Sequence, residues 1–129
     1  MRFWTVSAFL IFLLVLGSTA TPSIATIYVI NPEGTGDYPT IQDAIDVAGN
    51  GDVIELTDGT FTGDGNRDIN FLGLDLTVRS QSGDPHACII NSEGTSEDWH
   101  RAFFFSNGES SDSRIENLTV TGGYVSGID

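Results

Sequence analysis

One polar segment holds the side chains that could carry chemistry. Residues 97–101 read Glu-Asp-Trp-His-Arg and stand just before an apolar run. A carboxylate beside an imidazole can act as general acid and base, and an indole ring can stack on a sugar ring. The simpler interpretation is a solvated surface loop. The candidate catalytic or sugar-contacting residues are Glu97, Asp98, Trp99, His100 and Arg101.

A second polar segment has the alternating oxygen donors of a calcium-binding loop. Asp64, Asn66 and Asp68 stand at every second position, and Asp75 comes eleven residues after Asp64. Ile69, however, stands where such a loop needs a glycine for its sharp bend. A polar turn between two strands explains the same residues. Calcium is the only cofactor that the sequence suggests. The sequence assigns no definite metal ligand or catalytic residue.

Three other positions have plain structural interpretations. Cys88 is the only cysteine, so no intramolecular disulfide can form, and its apolar neighbours predict a buried, unreactive thiol. His86 follows a proline and is interpreted as a solvated turn residue. Residues 117–119, Asn-Leu-Thr, match the N-glycosylation pattern, but we expect them to lie within a strand and interpret the match as coincidence.

The first 25 residues predict a secretory signal peptide. A basic start is followed by an apolar run over residues 3–16, and small residues allow cleavage after Ala20 or Ala25. A membrane anchor is the alternative, but the run is shorter than the roughly 20 residues that span a bilayer. We therefore expect residues 26–129 to be secreted, extracellular or at the cell surface, with no membrane attachment after cleavage.

The charge balance excludes some partners. The chain of 129 residues has no lysine and a formal net charge of −13. Such a surface repels nucleic acid and anionic lipid. It suits a soluble secreted protein, and cation binding is the more specific alternative. The length allows one small domain.

Residues 40–48 predict a short amphipathic helix. Thr40 is a good N-cap and Asp43 can return the capping contact. Gly49 and Gly51 then allow the helix to end. A helix this short is unstable alone in water, so its apolar face must pack on other residues. That face consists of Ile41, Ala44, Ile45 and Ala48.

Short apolar runs follow residue 52 and are separated by Gly, Asp, Asn and Ser. Their patterns and spacing sort them into three sets: 53–56 with 76–79 and 117–120, 59–62 with 88–90, and 69–72 with 102–105. Repetition on this scale predicts a solenoid of strands. An antiparallel sandwich is the alternative, but the sequence lacks two-residue hairpin loops between matched strands.

The expected fold is therefore all-β. It is a right-handed parallel β-helix, a solenoid with a short N-terminal capping α-helix, truncated after two to three coils. The helix would cover the apolar leading end, which would otherwise aggregate. At the open C-terminal end we expect either the remaining coils of a longer chain or a second chain.

Residues 34–45, Gly-Thr-Gly-Asp-Tyr-Pro-Thr-Ile-Gln-Asp-Ala-Ile, resemble the start of right-handed parallel β-helix proteins of the pectin lyase-like superfamily. The resemblance continues through residues 51–54, 58–61, 76–80 and 115–120. It implies an N-terminal fragment of an extracellular protein that binds polysaccharide or processes polyuronates, as pectate lyases do. Any activity would be that of a polysaccharide lyase or glycoside hydrolase whose catalytic residues lie beyond residue 129, so this fragment would be inactive.

The resemblance leaves a second function open. At residues 59–63 the chain reads Gly-Thr-Phe-Thr-Gly, where pectin methylesterases commonly carry Gly-x-Tyr-x-Glu. The phenolic hydroxyl and the carboxylate are both missing, which speaks against methylesterase activity. The alternative to a polysaccharide-processing protein is a non-catalytic extracellular or cell-surface protein used for adhesion or display.

Overall fold

The computed structural model describes residue 17 and residues 22–125. The predicted signal peptide, residues 1–25, lies almost entirely outside the described residues. Within the described part, the elements in chain order are β1 (Ile27–Ile30), α1 (Ile41–Val47), β2 (Val53–Leu56), β3 (Gly59–Phe61), β4 (Ile69–Asn70), β5 (Thr77–Ser80), β6 (Cys88–Asn91), β7 (Phe103–Phe104), β8 (Arg114–Glu116) and β9 (Thr119–Thr121).

The strands form three short parallel sheets. Their orders are β1-β2-β5-β8, β3-β6-β9 and β4-β7. Strands β2, β3 and β4 enter the three sheets in turn, and β5, β6 and β7 join the same sheets in the same order. Every strand pair in residues 22–125 is parallel, which rules out the antiparallel sandwich for this part of the chain.

The predicted fold, a right-handed parallel β-helix solenoid, is wrong. The described residues form separate sheets of four, three and two strands with one short helix, and they do not close into a solenoid. Every strand in residues 22–125 has only two to four residues, and β4 and β7 have two each. The long polar segments between them run as turns and loops, whose side chains bond to backbone groups and so interrupt the strand ladders.

Two of the three predicted strand sets pair as expected. Gly59 pairs with Cys88 in the second sheet, and Ile69 pairs with Phe103 in the third. The expected third member of the first set, residues 117–120, is wrong. Strand β8 (Arg114–Glu116) pairs with β5 instead, whereas β9 joins β6. Asn117 has a φ of +54°, and this bend separates β8 from β9.

The predicted helix forms with the predicted cap. The Thr40 hydroxyl accepts a hydrogen bond from the Asp43 amide at 3.2 Å. Ile41, Ala44 and Ile45 are completely buried, so the apolar face packs on the sheets as expected. The helix ends at Val47, slightly before the glycines. No helix in residues 22–125 has the length and hydropathy needed to span a bilayer.

A continuous apolar core lies between the sheets and α1. Its larger side chains come from alternate positions of β2, β5 and β6, from single positions of β1, β3 and β4, and from Phe71 just after β4. Completely buried among them are Ile30, Ile54, Leu56, Phe61, Ile69, Phe71, Val78 and Ile90. This core fixes the strand registers that position the polar loops outside it.

Candidate functional site

The register between β4 and β7 brings two distant polar segments together. Ile69 pairs with Phe103, and the parallel bonding continues backwards along both strands. The Asp68 amide donates to the Arg101 carbonyl at 2.6 Å. Asp68 therefore lies beside His100, although 32 residues separate them in the sequence. The loop over residues 95–101 is thereby fastened to the turn over residues 64–68.

His100 lies between two carboxylates. Its Nδ1 is 2.5 Å from Asp68 Oδ2, and its Nε2 is 3.2 Å from Asp98 Oδ2. The first contact is a hydrogen bond, whereas the second lacks hydrogen-bond alignment. The other Asp68 oxygen accepts from the Arg101 amide at 3.0 Å. An imidazole with a carboxylate at each nitrogen is best stabilised as the doubly protonated imidazolium.

The charges of this cluster support that protonation state. The hydrogen bond to Asp68 raises the pKa of the His100 imidazole, and Asp98 adds to the effect against partial desolvation and the nearby Arg67 charge. For Asp68, desolvation acts to raise the pKa of the carboxyl. The hydrogen bonds from His100 and the Arg101 amide outweigh it, so its pKa lies below the ordinary value. Both shifts favour the charged pair.

Arg67 ties the same turn to the end of β6. Its guanidinium donates to Asp64 Oδ1 at 3.0 Å and to the Ser92 carbonyl at 3.4 Å, and Glu93 Oε2 is 3.8 Å away. The buried side-chain polar atoms that lack a hydrogen-bond partner, within the part that the structure describes, are Arg67 Nε, Ser92 Oγ and His100 Nε2. These three atoms lie in three segments that the His100–Asp68 and Arg67–Ser92 contacts join.

Trp99 projects from this anchored loop. Its side chain is 58% exposed, while its indole Nε1 donates to the Ser96 carbonyl at 3.0 Å. The Thr95 hydroxyl accepts from the Asp98 amide at 3.0 Å and so tightens the turn that precedes the tryptophan. The indole is therefore held at one edge while much of its surface faces solvent. A fixed aromatic surface of this kind can stack on the apolar face of a sugar ring.

Arg101, two residues after Trp99, supplies a positive charge in the same segment. Its guanidinium carbon lies 4.9 Å from the centre of the Phe104 ring, a cation–π contact. Within residues 22–125 no carboxylate forms a salt bridge with it. An arginine can bind a ligand carboxylate through two parallel hydrogen bonds. The loop thus contains an exposed aromatic ring, Trp99, and a cation, Arg101. Glu97 takes no part in these contacts.

The four candidate calcium ligands do not converge. Asp64 pairs with Arg67, and Asp68 pairs with His100. The Asp75 carboxylate accepts from the Ser110 hydroxyl at 2.6 Å. Across residues 22–125 the structure contains no group of three or more His, Cys, Asp or Glu side chains placed to hold a metal ion. These oxygens act as structural acceptors, which agrees with the polar-turn interpretation.

Two amide side chains fasten α1 to the sheets: Asn66, which is also one of the candidate calcium ligands, and Gln42, for which the sequence predicts no role. Asn66 Oδ1 accepts from the Ile41 amide at 3.0 Å and so satisfies the first helical N–H. Gln42 Oε1 accepts from the backbone N–H of Asn70 at 2.9 Å, and Gln42 Nε2 donates to the backbone carbonyl of Asn70 at 3.1 Å. In the sequence, the only indication of these contacts is a glutamine on the polar side of a helix whose other face is buried.

For three other residues the structure confirms two interpretations, those of Cys88 and His86, and corrects one, that of Asn117. Cys88 is buried, and desolvation, with a contribution from the Asp58 charge, raises the pKa of its thiol to about 11. His86 is exposed, as expected for a solvated turn residue. Asn117 was expected within a strand, but it is exposed in the bend between β8 and β9.

A cleft of about 540 Å³ also opens beside the segment that precedes β8. Its polar groups are already used within the protein. Glu109 accepts from the amides of Gly73 and Asn107, and the Ser113 hydroxyl donates to the Leu74 carbonyl. The loop around Trp99 is therefore the stronger candidate. The cleft is lined by Phe105, Ser106, Gly108, Glu109, Ser110 and Ser113.

Comparison with protein-family models, with curated proteins and with solved structures found no match for this chain. The resemblance to the pectin lyase-like superfamily stays a prediction.

Proposed function

We propose that this protein is an extracellular polysaccharide-binding protein that contacts acidic sugar chains through Trp99 and Arg101. The observation that carries the proposal is the indole, 58% exposed on a loop anchored by its own Nε1 bond and by the His100–Asp68 contact. A sugar ring would stack on the indole. A uronate carboxylate would bind the Arg101 guanidinium.

The chemistry of the cluster favours binding over catalysis. A general base needs a free nitrogen lone pair, but both His100 nitrogens face carboxylates. Both Asp68 oxygens are also engaged, one by the imidazole and one by the Arg101 amide. The acids and the imidazole therefore hold the loop in shape and leave contact with the ligand to Trp99 and Arg101.

Affinity electrophoresis through gels containing polygalacturonate tests the proposal. The protein should be retarded, and Trp99→Ala should abolish most of the retardation because the stacking surface is lost. Trp99→Phe should keep part of it. Val47→Ala is the matched control, since Val47 is 52% exposed on α1, outside the loop. Equal migration of all four proteins with and without the polysaccharide would reject the proposal.

A depolymerisation assay separates binding from catalysis. We expect no unsaturated or reducing-end product from polygalacturonate, with or without added Ca²⁺. If product forms and either Asp68→Asn or His100→Gln abolishes it, Asp68 and His100 have a catalytic role instead.

A non-catalytic role in adhesion or display is the second candidate. It is favoured by the edge strands β8 and β9, which carry exposed Ile115 and Val120. Open strand edges are suited to association with another chain. Retention of the protein on cells, independent of Trp99, would favour this function over sugar binding.

A further inference from the structure

The outer edge of β8 is an unpaired strand edge in the part of the chain that the structure describes. Its inner edge pairs with β5, with Ile115 opposite Val78. In the first sheet β8 is the last strand, so residues 22–125 provide no partner for its other side. Ile115 is 38% exposed there, and Val120 on the neighbouring edge strand β9 is 49% exposed. Open edges of this kind readily pair with another chain.

The hydrogen bonding of β8 shows which backbone groups are free to pair. The Arg114 amide donates to the Leu76 carbonyl at 2.8 Å, so Arg114 directs its backbone towards β5. Successive residues of a strand direct their backbone groups to opposite sides. The N–H and C=O groups of Ile115 therefore point away from β5.

The charges of β8 are self-complementary about Ile115. Arg114 and Glu116 flank it, with exposed side chains and a loose 3.8 Å contact between Nη1 and Oε1. If a second copy pairs antiparallel about Ile115, the two Ile115 residues exchange both backbone hydrogen bonds. Arg114 then lies opposite the partner's Glu116, and Glu116 lies opposite the partner's Arg114. Centring the pair on either charged residue would instead place like charges opposite each other.

We propose that two copies of this chain associate as a two-fold symmetric dimer through antiparallel pairing of their β8 edges. The two cross-strand ion pairs fix the register, since opposite charges select one arrangement and like charges disfavour the others. The pairing also covers part of the exposed surface of Ile115. The net charge of −13 opposes association at low ionic strength, and physiological salt, with a screening length of about 8 Å, reduces that repulsion.

A charge-swap experiment tests the register directly. Sedimentation velocity at increasing protein concentration should show a monomer–dimer equilibrium for the unmodified chain. R114E places a carboxylate opposite the partner's Glu116 and should weaken dimerisation about tenfold or more, because two attractive pairs become repulsive. E116R should weaken it similarly. R114E combined with E116R restores opposite charges across the pair and should restore the dimer.

Asp112→Arg is the control for E116R, because it makes the same change in charge at an exposed turn residue outside β8. Circular dichroism spectra should be unchanged in every variant, and so should melting temperatures measured at concentrations low enough that the unmodified chain is monomeric, which separates lost association from lost folding. A chain that is monomeric at all concentrations would overturn the proposal. A dimer that neither single charge reversal weakens, or that the double variant does not restore, would overturn it as well.

Discussion

His100 Nδ1 lies 2.5 Å from Asp68 Oδ2 and joins two loops that are 32 residues apart in the sequence. The same Asp68 carboxylate also accepts from the Arg101 amide, so one side chain fixes both the imidazole and the backbone beside Trp99. Asp68 adopts a φ of +50°, an uncommon conformation for a residue other than glycine. Strain of this kind is tolerated where surrounding contacts compensate for it, as they do in this loop.

This ion pair should make the stability of the protein depend on pH in two directions. The pKa of His100 is raised above 6.5, so its stabilisation is complete below that value and is lost as the pH rises through the folded-state pKa. The pKa of Asp68 is lowered below 3.8, so its stabilisation is complete above that value and is lost as the pH falls through the folded-state pKa. Melting temperatures should therefore show this contribution in full between these two ordinary values.

His100→Gln is the variant that isolates the alkaline side of this profile. It keeps a hydrogen-bond donor for Asp68 but cannot titrate. The decrease in melting temperature of the wild type between about pH 6 and pH 8 should become smaller in the variant. Identical slopes in the two proteins would show that His100 does not titrate in contact with Asp68.

The two hydrogen bonds between the Gln42 side chain and the Asn70 backbone should contribute to stability. Gln42→Ala leaves the half-buried amide and carbonyl of Asn70 without partners, at a cost of about 1–3 kcal/mol in the free energy of unfolding. Gln42→Glu keeps the acceptor but loses the donor and brings a second carboxylate against Asp46, which Gln42 Nε2 contacts at 3.0 Å, so it should also destabilise the fold. Urea denaturation measures the free energy of unfolding of both variants. A Gln42→Ala variant as stable as the wild type would contradict a stabilising role of these hydrogen bonds.

The apolar face of α1 should be essential for the fold. Ile45 is completely buried, so Ile45→Ala should lower the free energy of unfolding by about 2–5 kcal/mol through lost burial and a cavity. Val47, which is 52% exposed on the same helix, provides the control: Val47→Ala should change stability by no more than about 0.5 kcal/mol. Equal effects of the two substitutions would mean that the helix does not pack as described.

Cys88 should be unreactive in the folded protein. Its thiol is buried and its pKa is raised to about 11, so very little thiolate exists near neutral pH and reagents cannot reach it. Ellman's reagent should give no colour with the native protein and one equivalent in urea. Rapid reaction of the native protein would show that β6 opens easily.

The parts of this structure that the sequence predicts correctly are those encoded by local patterns. The spacing of Ile41, Ala44 and Ile45 identifies the buried helix face, and Thr40 identifies its start. Pattern similarity also pairs Gly59 with Cys88. Pattern similarity fails at β8 because this strand is charged at two of its three positions. The neighbouring segment 117–120 is more apolar, so the pattern predicts that segment as the strand instead.

The contacts of the candidate site depend on register and could not be predicted from local patterns. Glu97, Asp98, Trp99, His100 and Arg101 stand together in the sequence, so their selection needed no structure. Asp68 appeared only as a calcium candidate, because nothing near it in the sequence pairs it with an imidazole. The pairing of Ile69 with Phe103 creates that contact. The predicted solenoid was wrong for a related reason, since strand patterns indicate pairing but not how the sheets close.

Tryptophan fluorescence offers the most direct test of the proposed sugar contact. Of the two tryptophans, Trp4 lies in the predicted signal peptide, so in the mature chain the signal reports on Trp99 alone. Titration with oligogalacturonate should change that fluorescence in a saturable way, with tighter binding than for a neutral oligosaccharide of equal length, and Arg101→Gln should reduce this preference. An unchanged spectrum up to millimolar oligogalacturonate would contradict the proposal that Trp99 binds acidic polysaccharide.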